Sequence, residues 1–451
     1  MRFAIQSRSL LLPDSDQRFP QLKPGVIYIQ DGKISKITPQ IDPNFSGQVM
    51  DVGEDVVMPG LCDTHVHMNE PGRTEWEGIE TATRAAAAGG ITTLVDMPLN
   101  SIPPTTTVGA LELKRASAKK TAYVDYGFWG GVIPGNRQDL EPLIAAGVLG
   151  FKAFMIDSGV SEFPMASEEV LKESLPILAK RGVPLLVHAE LEGHAEVKHP
   201  SPRSYVHYLE SRPQSWEVEA IRKIIELAKE NKARVHVVHL SASEALKDIE
   251  KAKSEKVAIT AETCPHYLTL TSEEILDGAT HFKCAPPIRE NDNREKLWEG
   301  LDRGLISFIV SDHSPCTPKL KNFETGDFDS AWGGIAGLQF GLPVIWTEMV
   351  KRGLSLGHLS HWMAEATAHF LKIHGKLGRI EVGADADLVV WDPKAQFVLE
   401  ETQILHRHKV TPYLGKKLQG VVKKTFVRGQ EVYCDGKLNG PLGQEVKRES
   451  A

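Results

Sequence analysis

The sequence predicts an α/β fold: a (β/α)8 TIM-like barrel with a small β-sandwich domain formed from the N- and C-terminal segments. Three observations predict it. Eight short apolar runs alternate with segments of helical periodicity through the middle of the chain. The outer segments carry β-like runs with turn residues instead. Histidine, lysine and aspartate sit at the ends of several of the apolar runs, which is where a barrel of parallel strands collects its chemistry.

The elements follow in order. Residues 1–57 form the first part of the sandwich, with β-like runs at 25–29 and 33–37 and the hairpin signal Asp31-Gly32 between them. Residues 58–376 form the barrel. Its strands are read at 61–67, 91–97, 124–132, 150–155, 184–188, 234–240, 258–263 and 307–311. Helical patterns lie between them, for example at 168–180, 216–229 and 242–254. The strands are short and continuously apolar, as expected when both faces are buried. The stretch 375–385 leads back to the second part of the sandwich, 377–451, with β-like runs at 386–391 and 420–427.

Composition narrows the function. The 451 residues are 41% hydrophobic and 25% charged, ordinary for a soluble globular protein, and the net charge of −7 argues against nucleic acid as the main ligand. No apolar run approaches the roughly 20 residues that span a bilayer, so no membrane partner is expected. Residues 1–8 lack the apolar core of a signal peptide, and a cytoplasmic location is expected. Cys62, Cys264, Cys284, Cys316 and Cys434 show no CxxC spacing and fit a reducing compartment. No glycine-rich phosphate loop is seen.

The candidate chemistry begins at His65-Val66-His67. Residues i and i+2 of a strand share a face, so both imidazoles can reach one metal ion, and imidazole is the commonest protein ligand for borderline metals. Further candidates end other strands: Lys152 on the fourth, His188 on the fifth, His239 on the sixth and Asp312 on the eighth. Each has a plain alternative. A strand-end histidine can be a satisfied core group, Asp312 can cap a turn, and Lys152 can pair with a carboxylate on the barrel wall. An unpaired charged lysine in an apolar strand would carry a large desolvation cost. His236 lies three residues before His239, faces the other way, and is read as structural or exposed.

Together His65-Val66-His67, Lys152, His188, His239 and Ser311-Asp312-His313 resemble the cyclic amidohydrolases, the family of dihydroorotase, hydantoinase and allantoinase. The resemblance covers nearly the whole chain. It implies two divalent metal ions, zinc first and iron, cobalt or manganese as alternatives. His65, His67 and Asp312 would bind one and His188 and His239 the other. Lys152, modified by CO2 to a carbamate, would bridge them. It further implies a bridging hydroxide that attacks a ring carbonyl, with Asp312 taking its proton and delivering it to the departing ring nitrogen. A homo-oligomer, a tetramer, is the assembly it implies.

The resemblance also bears on substrate. Dihydroorotases place an arginine two residues beyond the second histidine, where this chain has Asn69, so the bidentate partner for a substrate carboxylate is missing. Arg73 is read as capping the loop or pairing with an acid. Five stretches are similar to the allantoinase branch: 70–78, 97–100, 284–289, 331–339 and 407–413. They imply opening of the hydantoin ring of allantoin to allantoate in purine and ureide breakdown. Asn100, His313 and backbone groups near Ala285 and Gly334 are the expected substrate contacts, although many members of that branch carry serine at the Ala285 position. The loop 157–164 is a candidate lid. Rival readings are a hydantoinase or dihydropyrimidinase, a dihydroorotase, and a non-catalytic assembly protein on the same fold.

Overall fold

The computed structural model describes residues 2–448. The chain begins with β1 (Arg2–Leu12), β2 (Gln21–Gln30), β3 (Lys33–Thr38), β4 (Gln48–Asp51) and β5 (Val56–Pro59). Asp31 and Gly32 take positive φ, 51° and 80°, and turn β2 back onto β3. This is the conformation for which that dipeptide is suited.

The middle of the chain supplies β6 (Leu61–Val66), β7 (Ile91–Asp96), β8 (Asp125–Phe128), β9 (Gly130–Gly131), β10 (Phe151–Phe154), β11 (Pro184–His188), β12 (Arg234–Val237), β13 (Ile259–Thr263) and β14 (Phe308–Ile309). All their pairings are parallel. β8 and β9 are two halves of one stave on either side of Trp129, so the barrel has the eight staves read from the sequence. It closes where the chain after β14 returns to β6. Ser311 N donates to Asp63 Oδ2 at 3.0 Å, and His67 N donates to the His313 carbonyl at 2.8 Å.

Two strands end two or three residues earlier than the apolar pattern suggests. The run 234–240 is a strand only to Val237, and the run 307–311 only to Ile309. His239 and Asp312 have φ of 38° and 43°, which breaks the ladder. A non-glycine residue pays for that conformation, and such strain collects at functional sites. Both side chains sit at the C-terminal rim.

The chain ends with β15 (Leu388–Val398), β16 (Lys417–Val427), β17 (Gln430–Cys434) and β18 (Lys437–Leu438). The two ends of the chain pair directly, β5 against β15 in antiparallel register with Val57 opposite Val390. The resulting nine-stranded sheet runs β18-β17-β16-β15-β5-β1-β2-β3, with β4 beside β1. Ile5, Ile27, Ile29, Val57, Leu388, Val390 and Phe426 form its own apolar core, apart from the barrel core. The last described residues cross the start of β8, where Tyr126 N donates to the Gln444 carbonyl at 3.0 Å.

Candidate active site

The barrel rim brings the strand-end residues together. His65 Nε2 lies 3.1 Å from Asp312 Oδ1, and His67 Nε2 lies 3.6 Å from the same oxygen. The His65 and His239 rings are 5.4 Å apart and the His188 and His239 rings 4.6 Å. One donor atom each from His65, His239 and Asp312 lies within 4.8 Å of the others. His65, His67, Lys152, His188, His239 and Asp312 all line one pocket, together with Asn100, Ala285, Ser314, Trp332 and Gly334.

The charges suit metal ligation. Burial opposes the ionised form of Asp312, but His65 and His67 outweigh it and hold the carboxyl well below its usual range. Burial pushes His239 well below its usual value, helped by His188 and Lys152. His67 and His188 are lowered too, chiefly by burial. These imidazoles are therefore neutral with a lone pair to give. His65 is the exception: burial is overcome by Asp312 and Glu262, which raise it to about 9. A divalent cation would take the place of that proton.

Lys152 has no carboxylate partner on the wall. Its Nζ makes no hydrogen bond among the described residues, although the residue is only 1% exposed. Burial lowers its pKa to about 7 against the pull of Asp312 and Glu262. Near neutral pH much of it is a free amine, the form that can be carboxylated. The lone amine, the neutral imidazoles and the ionised Asp312 are a donor set that fits a divalent metal centre.

Carboxylates behind the rim orient the ligands, and the sequence reading missed them. Glu262 Oε1 accepts from His65 Nδ1 at 2.5 Å, which fixes the tautomer and leaves Nε2 for the pocket. Glu262 Oε2 is held by His236 Nε2 at 2.9 Å, and His236 Nδ1 meets Thr260 Oγ1 at 2.7 Å. His236 is thus structural and fully buried rather than exposed. His188 Nε2 meets Glu190 Oε2 at 2.6 Å, and Arg212 grips the same carboxylate. Glu262 had a readable signal, a carboxylate inside an apolar strand, the same oddity that singled out Lys152.

His313 corrects an expectation. It does not line the pocket. Its Nε2 meets Glu77 Oε2 at 3.3 Å and its Nδ1 accepts from Gly337 N at 3.3 Å. Asp312 faces the pocket, whereas the His313 ring is held by Glu77 and Gly337 and its carbonyl accepts from His67 N, so His313 clamps the barrel seam. Gly334 lines the pocket, but its N–H donates to the Lys283 carbonyl at 2.8 Å and its carbonyl accepts from Lys321 Nζ. At φ 146° a Cβ there would lie 2.2 Å from the Ser314 carbonyl oxygen, so only glycine fits. The neighbouring N–H groups of Gly333 and Ala285 carry no such bond among the described residues. Asn100, at φ 67°, lines the pocket with Nδ2 3.4 Å from His67 Nδ1. Arg73 pairs with Glu162 as expected. Asn69 turns its amide to the Pro315 carbonyl, and no guanidinium lines this pocket.

Comparison with known proteins agrees with this geometry. Residues 56–432 match the Amidohydrolase family. The chain is 51% identical to an allantoinase of Streptomyces avermitilis over 95% of its length and 96% of the relative's. It is 46% identical to an allantoinase of Arabidopsis thaliana over 96% of its length and 88% of the relative's. Among solved structures, an L-hydantoinase (dihydropyrimidinase) from Arthrobacter aurescens superposes with a TM-score of 0.91 at 32% identity, covering 98% of this chain and 99% of that one. The chain belongs to the amidohydrolase family of metal-dependent hydrolases, and within it to the allantoinases.

Proposed function

We propose that the protein opens the hydantoin ring of allantoin by hydrolysis to give allantoate. The observation that carries the reading is the buried, partnerless Lys152 amine ringed by His65, His67, His188, His239 and Asp312 in one pocket. Those residues, with Lys152 carboxylated, would hold two divalent cations, zinc first and iron, cobalt or manganese also suited. Such ions supply an activated water and polarise the carbonyl under attack.

The chain's own residues do the rest. Asp312 is ionised at neutral pH, so it begins as a base and takes the proton of the attacking water. As the carbon–oxygen bond forms and the ring carbon–nitrogen bond breaks, Asp312 gives that proton to the leaving nitrogen. Asn100 and the N–H groups of Ala285 and Gly333 offer amide-type partners to a neutral ureide. The turned-away Asn69 leaves a substrate carboxylate without a clamp at that position. Ser158 and Trp332 wall the pocket and limit water.

A homotetramer in the cytoplasm is the assembly and compartment we infer. All five cysteines are free, which suits a reducing compartment, and no helix among the described residues is long and apolar enough to cross a membrane. A second reading, a hydantoinase, is favoured by the close superposition on one.

The test is a ring-opening assay of metal-replete protein on allantoin, hydantoin, dihydrouracil and dihydroorotate. Allantoate as the dominant product is expected. Turnover of hydantoin or dihydrouracil with allantoin untouched would favour the second reading, and turnover of dihydroorotate alone would overturn the argument from Asn69.

A further inference from the structure

Just past β13 the chain turns through Cys264, Pro265 and His266, none of which lines the pocket. Cys264 is 0% exposed and His266 1%. Neither ring nitrogen of His266 has a hydrogen-bond partner among the described residues, an unusual state for a buried imidazole. One donor atom from each of Cys264, His266 and Asp312 lies within 4.8 Å of the others. Asp312 uses Oδ1 toward His65 and His67, and a carboxylate has further lone pairs to offer.

We propose that Cys264, His266 and Asp312 form a second, inhibitory cation site that selects a soft, thiophilic divalent ion such as cadmium. The selection follows from the donors. A thiolate and an imidazole favour soft ions over hard ones, and the rim set of histidines, Lys152 and Asp312 contains no sulfur. On binding, the Cys264 S–H bond breaks, its sulfur pair bonds to the cation, and the proton leaves to solvent. Asp312 is then drawn toward the new ion and loses the lone pair with which it takes and returns the substrate proton. Pro265 stiffens the two-residue link that holds Cys264 and His266 side by side.

The test titrates the metal-loaded protein with cadmium chloride. Bound cadmium is counted after dialysis, the thiolate-to-cadmium charge-transfer band is followed in the ultraviolet, and each rate is expressed relative to that variant's own rate without cadmium. Wild type should take up one further cadmium per chain with the band, losing turnover in step. C264S should show neither the extra ion nor the band. H266Q should keep the band with affinity lowered by about tenfold or more, and C434S should behave as wild type. No band in wild type, a band that survives in C264S, or one that vanishes in C434S would overturn the site. Should C264S not fold, an unchanged affinity in H266Q does the same. Band and ion count are read without substrate, so they stand apart from the ring-opening reading.

Discussion

Lys152 is a buried amine with no hydrogen-bond acceptor among the described residues, a costly arrangement. Under the proposed function, carboxylation would turn that cost into a metal ligand. Lys152→Ala should therefore lose both metal ions and ring opening while remaining folded, and short carboxylic acids added to the assay should restore part of each. Metal analysis alongside the rate decides, and normal metal content in the variant would remove the lysine from the ligand set. Asp312→Asn removes the proton carrier but keeps the shape, so kcat should fall by about 10²–10⁴-fold, with the far-ultraviolet dichroism unchanged. The six pocket residues were legible in the sequence because each is a histidine, lysine or aspartate in or at the end of an apolar run, and the two-residue spacing of His65 and His67 puts that pair on one face. The carboxylate behind His65 was not paired with it, because Glu262 lies 197 residues away, and Glu77 lies 236 from His313 at the seam. Only the closed barrel brings such distant positions together.

At the scale of elements, the loops above the rim are joined to one another. Arg73, in the loop after β6, pairs with Glu162 in the loop after β10, and its guanidinium also donates to the Asn100 carbonyl at 2.9 Å. The same side chain stacks 5.1 Å over Trp76, and Trp76 meets Trp332 edge-on at 4.8 Å. Ser158, from the candidate lid, and Trp332 both line the pocket. Arg73→Ala cuts the lid's tie without touching a metal ligand. The pair is partly buried, and a charged hydrogen bond of this kind contributes about 1.5–3 kcal/mol at most, less where solvent reaches it. KM for allantoin should rise several-fold, by about tenfold at the upper end, with metal content unchanged. Steady-state kinetics with metal analysis checks it, and an unaltered KM would show that the loop does not cover bound substrate. The existence of these loops was readable from the turn residues between strands, but their pairing was not, since surface charges carry no mark of their partner.

Across the whole molecule, the barrel and the terminal sheet meet at a buried acid. Asp387, at the entry to β15, accepts from Arg428 N through Oδ1 at 2.6 Å, and its carbonyl accepts from Gly60 N at 2.8 Å, between β5 and β6. The guanidinium of Arg428 continues to Asp125 at the start of β8. The same seam therefore joins both chain ends to the barrel. Burial, with Asp125 nearby, raises the Asp387 pKa from 3.8 to about 8. The folded state thus holds a proton that the unfolded state has released, and stability falls as pH rises from the unfolded pKa through the folded one. Below the unfolded value the group is neutral in both states and contributes no such loss. Asp387→Asn keeps an acceptor for Arg428 N and a donor where the carboxylic acid has one, but cannot ionise. The melting temperatures of variant and wild type should be close below about pH 4 and should separate up to about pH 8, the variant higher, as the linkage relation requires. A thermal-melting series across that range measures the gap. A gap that stays constant with pH would mean that Asp387 is already ionised in the folded protein, held by Arg428 more strongly than burial opposes it.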